Sequence, residues 1–240
     1  MTDETPARDL PIGALMTGWH PPERPSDAPM AGRYCRLERL SARHAADLHE
    51  ANCLDPDGRM WTYLPYGPFE SQTAYGAWID SYCMAADPMF FAIVDLTTGK
   101  AVGVASYLRI DPANGCIEVG HLAFSPKLQR TPAATEAMFL MMERVYDAGY
   151  RRYEWKCNAL NAPSRASAMR LGFSFEGVFR QATIAKGRTR DTAWYASIDA
   201  EWPALKVAFQ TWLAPANFDA RGAQRVSLRT LTGPILVKQG

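Results

Sequence analysis

Between residues 90 and 124 three β-patterned segments follow one another so closely that few architectures can hold them. FFAIVD, AVGVASYLRI and IEVGHLAF are separated only by LTTGK and by a short connection containing Asn114-Gly115, a strong hairpin signal. Links this short cannot carry a crossover, so the segments read as a meander of consecutive antiparallel strands. The pattern then changes. Ala134, Ala137, Met138, Met141, Val145 and Ala148 recur at helical spacing, with Gly149 placed to end the helix. YRRYEWKC next alternates, with Tyr153, Trp155 and Cys157 to one side and Arg152, Glu154 and Lys156 to the other, before a second helix around Ser164 to Leu171. A meander joined to a strand-helix-strand-helix series predicts an α/β (α+β) fold.

The flanks complete this body. YCRLERL, from Tyr34, reads as a first strand, and Ser41 can cap a helix through AADLHEANCL. Pro65, Gly67 and Pro68 force a turn among aromatics, after which a helix is expected through Tyr82. FEGVFRQATIAKGRTRDTAWYASI reads as two strands about Lys186-Gly187-Arg188, and Pro203 is suited to begin a helix through Trp212. Residues 1–32 hold Pro6, Pro11, Pro21, Pro22, Pro25 and Pro29, which predicts an extended arm, with Trp19 pinning it to the body. The expected organisation is this arm, a domain over 33–200, and a helical extension and tail over 201–240.

Twenty-six Lys and Arg against 25 Asp and Glu leave no basic excess for nucleic acid or an anionic membrane surface, so small molecules or proteins are the expected partners. The five cysteines are odd in number and lack C-x-x-C spacing, which suits reduced thiols. With no run of about 18 apolar residues and no leader pattern at the start, the expectation is a soluble, cytoplasmic protein. His44 and His49 lack ligand partners at metal-binding spacing, and no metal is expected.

SPKLQRTPAATEA, Ser125 to Ala137, joins a strand to a helix whose unpaired first N–H groups and positive dipole end favour anions. IEVGHLAFSP stands before it, N-A-L-N-A-P-S (Asn158 to Ser164) follows the next strand, and RLGF closes the series at Phe173. In this order the segments resemble the GNAT family, the acyl-CoA-dependent N-acetyltransferases, over roughly residues 34 to 200. The family's pyrophosphate loop, Q/R-x-x-G-x-G/A, falls on Gln129, Arg130, Thr131, Pro132, Ala133 and Ala134, with Pro132 where the first glycine stands. Within the family the chain is most similar to the Rim-type ribosomal-protein N-terminal acetyltransferases, whose late hairpin carries a glycine, an aspartate and an aromatic, here Gly187, Asp191 and Tyr195.

The resemblance implies a GNAT fold, a central mixed, mostly antiparallel twisted sheet flanked by helices, whose splayed central strands hold acetyl-CoA. Backbone groups of Leu122, Ala123 and Phe124 would run along the pantetheine, one N–H polarising the thioester carbonyl. Asn158 and Asn161 read either as pantetheine partners or as helix caps. Ser164 matches the serine that protonates the leaving thiolate in Rim-type relatives, or is a hydroxyl of a first helical turn. Glu118, His121 and Glu176 are the candidates for the base that yields a neutral amine. An offset of three puts Glu118 and His121 on opposite faces of a regular strand unless a bulge at Gly120 changes the phase. Trp61, Tyr63, Tyr66 and Phe69 fall where the family's acceptor site lies, while Trp155 and Trp194 read as core. The implied activity is acetyl transfer to a primary amine, by preference a protein or peptide N-terminus. The alternatives are a small-molecule amine (polyamine, aminoglycoside or amino acid) and a non-catalytic CoA-binding module; a homodimer stays open.

Overall fold

The structure is a computed structural model that describes residues 10–240; the first part of the expected arm, with Pro6, lies outside the described residues. Strands β1 (Met30–Ala31), β2 (Cys35–Arg39), β3 (Met89–Asp95), β4 (Ala101–Asp111), β5 (Cys116–Phe124), β6 (Arg152–Asn158), β7 (Ser174–Ala185) and β8 (Arg188–Ile198) form one eight-stranded sheet in the order β1-β2-β3-β4-β5-β6-β8-β7. Every pairing is antiparallel except β5 with β6, which is parallel. The meander is therefore β3-β4-β5, and the parallel step is the one bridged by a helix, as crossover geometry requires.

Helices α1 (Ala45–Asn52) and α2 (Gln72–Tyr82) cover one face of the sheet, where Leu48, Trp61, Tyr75, Ile79, Phe90 and Val104 are buried together. The opposite face carries α3 (Pro132–Asp147), α4 (Ala162–Arg170), α5 (Trp202–Leu213) and α6 (Leu228–Thr232) over a larger core that includes Tyr107, Met141, Tyr153 and Phe209. The alternation read in YRRYEWKC holds: Tyr153, Trp155 and Cys157 enter this larger core. Gly149, at φ +92°, supplies the left-handed residue that ends α3, where a side chain would be disfavoured.

Ser41 opens the first helical region, through a short 3-10 turn (Ala42–His44) that precedes α1. His44 there is buried and bonds Glu38 at 2.8 Å, the packed role rather than a metal-ligand one. The arm runs without regular structure until Met30, where its last residues join the sheet as β1. Trp19 lies against Gly115 and beneath the Arg151 guanidinium, and Arg144 donates to the carbonyls of Ser26, Ala28 and Pro29. Glu136 ties α3 to the same region: its buried carboxylate accepts from the backbone N–H groups of Arg33, Tyr34 and Cys35 at 2.7, 2.6 and 2.9 Å. The tail returns to the sheet, Phe175 N–H donating to Lys238 O beside β7.

Candidate active site

The central feature is a split. β5 and β6 pair from Cys116↔Arg152 to Val119↔Trp155 and no further, although β5 continues to Phe124 and β6 to Asn158. From Gly120 onward the two strands diverge, leaving a wedge with Leu122, Ala123 and Phe124 along one side and Lys156, Cys157 and Asn158 along the other. The expected splay is thus a property of the register.

The loop at the mouth of the wedge explains how a sequence without its expected glycine still makes this turn. The left-handed residue is Arg130, at φ +62°, and Pro132 is simply the first residue of α3, where the N–H it lacks would have no partner inside the helix. Gln129 Nε2 donates to Phe124 O (2.7 Å), and Thr131 Oγ1 donates to Leu128 O (2.7 Å) while accepting Ala134 N–H (3.2 Å). The Gln129 and Thr131 side chains therefore shape the loop, and the Ala134 N–H is spent on the cap. The N–H groups of Arg130 and Ala133 have no partner among the described residues and remain as donors at the helix terminus. This donor set fits a phosphate.

Across the wedge, α4 presents Ser164 in its first turn. Trp155 Nε1 donates to Ser164 Oγ at 3.1 Å, which leaves the hydroxyl proton free to be donated elsewhere. Asn161 adopts the helix-cap role, its Oδ1 accepting Ser164 N–H at 3.1 Å, and Asn158 Oδ1 accepts Leu160 N–H at 2.9 Å. Both carboxamide oxygens are engaged in shaping the turn between β6 and α4.

The other mouth opens toward α1 and α2, and two backbone irregularities build it. Ser106 pairs with Gly120 and Val104 with Ala123, so His121 and Leu122 together face Ala105 alone. This bulge sits one residue beyond the expected Gly120 and holds His121 at φ +53°. The His121 ring is thereby thrown onto the α2 face, 5.0 Å from the ring of Phe90, with Tyr66 Oη 3.1 Å from its Nδ1. A second bulge in β4, with Arg109 at φ +49°, brings that guanidinium onto Glu118. Non-glycine residues rarely hold such angles, and two at one opening mark a place where the fold spends strain on positioning.

Glu118 lies on the same face, since it stands two residues before Gly120 and Gly120 pairs with Ser106, itself opposite Phe90. It is 3% exposed; Arg109 Nη1 (2.7 Å) and Lys156 Nζ (2.9 Å) hold its Oε2, while Oε1 has no partner among the described residues. Burial pushes its pKa up, and the two cations oppose that shift. The missing side chain of Gly120 leaves room beside the open oxygen: a Cβ there would stand 3.6 Å from Oε1 and 3.0 Å from Leu108 Cδ2. His121 is driven the other way, its pKa lowered to about 4 by burial and then by the Arg109 charge. Glu176 has both oxygens on Arg152, which ties it to that guanidinium.

Of the four aromatics expected at the acceptor side, Trp61 is core, packed so tightly on Gly67 that a Cβ there would lie 2.5 Å from its ring. Tyr66 holds His121, Phe69 stacks within the same aromatic group, and Tyr63 Oη reaches Leu160 O at 3.3 Å across the top of the wedge. The β7–β8 hairpin folds over from the far edge, Lys186 Nζ donating to Trp61 O (2.9 Å) and Gly67 O (3.1 Å). Trp194 departs from expectation: it is half-buried on this face rather than in the core, with Lys156 Nζ 3.8 Å from its ring centroid. Nothing in the sequence marks Arg109, Lys156 or Trp194 as residues of this face. Only the alternation that sets Lys156 beside Glu154 hints at one of them.

Among the described residues, no group of three or more His, Cys, Asp or Glu could hold a metal ion, no helix is long and apolar enough to cross a membrane, and the five cysteines are free. Residues 35–174 match a family model described as an acetyltransferase (GNAT) domain. The chain is similar to a GCN5-related N-acetyltransferase from Brucella melitensis, with 46% identity, a TM-score of 0.88, and coverage of 90% of this chain and 99% of that one. It is also similar to a GNAT-family protein from Chromobacterium violaceum, at 39% identity and a TM-score of 0.75 over 81% of this chain and 98% of the other. A ribosomal-protein-serine acetyltransferase from Escherichia coli (strain K12) is 31% identical over 100 residues, covering 41% of this chain. The match spans 55% of that relative's length.

Proposed function

Because the chain belongs to the GNAT acetyltransferase family, we propose that it transfers an acetyl group from acetyl-CoA to a primary amine, by preference the N-terminal α-amine of a protein or peptide. The observation that carries this reading is the Glu118 carboxylate at the base of the wedge, anchored through one oxygen and open at the other. The Arg130 and Ala133 N–H groups would hold the pyrophosphate, the backbone of Leu122 to Phe124 would line the pantetheine, and Ser164 would stand near the thioester. When bound, acetyl-CoA supplies an activated acetyl group to the amine.

The protein's own task is proton management. Glu118 Oε1 takes a proton from the incoming ammonium, directly or through one water, while Arg109 and Lys156 keep the carboxyl from rotating away. Ser164 Oγ holds the proton that the departing thiolate needs. His121 is a poor recipient: moving a proton from an α-ammonium near pKa 8 to a group near 4 is uphill by about 5 kcal/mol. It supports the wall through Tyr66 instead. An α-amine also suits a carboxylate base better than lysine does, since lysine must surrender a further ~2.5 units, about 3.4 kcal/mol. The similarity to a ribosomal-protein-serine acetyltransferase supports the same acceptor class.

The test is thiol release from acetyl-CoA against N-terminal peptides, lysine peptides, polyamines and aminoglycosides. Saturable release with N-terminal peptides at the highest kcat/KM is expected. Preference for a polyamine or aminoglycoside would move the acceptor to a small molecule, and tight acetyl-CoA binding with no turnover on any amine would end the enzymatic reading.

A further inference from the structure

The ionised side chains on the acceptor face are almost all matched. Arg109 and Lys156 hold Glu118, Lys156 also holds Glu154, and Arg152 holds Glu154 and Glu176, so these three cations and three carboxylates close into a neutral network. Arg190 is left over. It pairs with Thr183 in the long hairpin and stands four residues before Trp194, which puts it on the face that Trp194 shares with Lys156. Its Nε is buried without a hydrogen-bond partner, and the guanidinium makes no ion pair among the described residues.

An arginine stays charged even where desolvated, and a buried N–H of such a group costs free energy until an acceptor reaches it. Burial and Arg109 act against its charge, while Cys157 and Glu118 favour it, as expected of a cation drawn over the wedge rather than out to solvent. The phosphate-binding end of α3 belongs to the opposite face of the sheet, so the cofactor's phosphates are not the natural occupant of this fork. Lys186 also lacks a carboxylate but is satisfied by two carbonyls, whereas Arg190 has no acceptor among the described residues and calls for one negative charge.

We infer that Arg190 receives a carboxylate that the acceptor carries within a few bonds of its amine. A guanidinium matches a carboxylate in two parallel hydrogen bonds, which fixes the acceptor's orientation as well as its affinity. Two sources supply this chemistry: an acidic side chain in the first residues of a peptide, or the α-carboxylate of a free amino acid. The inference rests on the proposed acetylation of an amine at this site and narrows its substrate class.

The experiment measures kcat/KM by thiol release in two series. One consists of peptides differing only as Glu or Gln at the second residue; the other compares free amino acids with their amides. In at least one series the wild-type protein should favour the carboxylate member, roughly ten- to a hundredfold and mainly through KM. Arg190→Gln should collapse that ratio toward one, and Arg190→Lys should retain part of it, with unchanged thermal unfolding confirming that both variants fold. A response confined to the amino-acid series would retire the peptide acceptor and leave the inference standing. Turnover of peptides with no charge preference, or a preference that survives Arg190→Gln, would overturn the inference while the acceptor reading holds. Absence of thiol release in both series would sink both.

Discussion

Replacing His121 by Asn tests the most unusual electrostatic feature of the site. The imidazole is held neutral by burial and by the Arg109 charge, with its pKa at about 4 against 6.5 for an unperturbed histidine. A base whose folded pKa is depressed binds protons more readily once unfolded, so its contribution to stability is fully present above pH 6.5. That contribution is lost as pH falls through the window from 6.5 to 4. The separation between those two values is worth about 3 kcal/mol. The introduced carboxamide would keep an acceptor for Tyr66 Oη near the position of Nδ1 but cannot titrate, so the variant lacks this acid-linked loss whatever its stability at neutral pH. Urea unfolding at a series of pH values from about 7.5 down to about 4.5 measures the difference. The gap between wild type and His121→Asn should close by about 2 to 3 kcal/mol across that range. Parallel stability curves, within about 1 kcal/mol, would mean that His121 titrates normally, and would return it to the candidates for the base.

Other perturbations reach the remaining parts of the site. Glu118→Gln should lower kcat at least about a hundredfold, with acetyl-CoA affinity nearly unaltered. It should also remove the acidic limb of the pH–rate profile, which falls as pH drops through the raised Glu118 pKa and the base becomes protonated; an unaltered profile would retire Glu118. Ala134→Asp sets a negative charge in the first turn of α3, where a helix tolerates it well, so acetyl-CoA affinity measured by calorimetry should fall more than about tenfold without loss of folding. Equal affinity would remove the phosphate from this loop. Glu136→Ala strips three backbone donors of their buried acceptor and should cost about 3 to 5 kcal/mol in chemical unfolding; a loss under about 1 kcal/mol would show that β1 and β2 dock without it.

Much of the architecture is written locally. The short links of the meander, the 2-residue alternation of YRRYEWKC and the helical period after Ala134 each express a constraint on neighbouring residues. Every one of these elements is present in the structure. The loop before α3 was legible for a related reason, because a strand end followed by a helix start leaves N–H groups free wherever it occurs. Even Pro132 could be reconciled with it from the backbone chemistry of a first helical turn.

The acceptor side resisted such reading. Alternation along regular strands separates Glu118 from His121 and, since Leu108 pairs with Glu118, turns Arg109 away from Glu118. Only the two bulges in the β4–β5 pairing, with Arg109 and His121 held at φ +49° and +53°, bring all three onto one face, and nothing in the alternation announces them. The same holds for Asn158 and Asn161, whose side chains could serve a ligand or a helix until the path of the turn between β6 and α4 engaged them in its own hydrogen bonds. Arg190 and Trp194 come to stand on the face of Lys156 because β8 pairs with β6, and their hairpin is fastened by Lys186 to a loop more than a hundred residues earlier. By itself, then, the sequence determined the elements, their order and the strand-to-helix turn with its free N–H groups, since these depend on backbone propensities over a few residues. Tertiary structure decided which charges meet at the wedge, because strand splay and charge matching come into being only when remote segments pair.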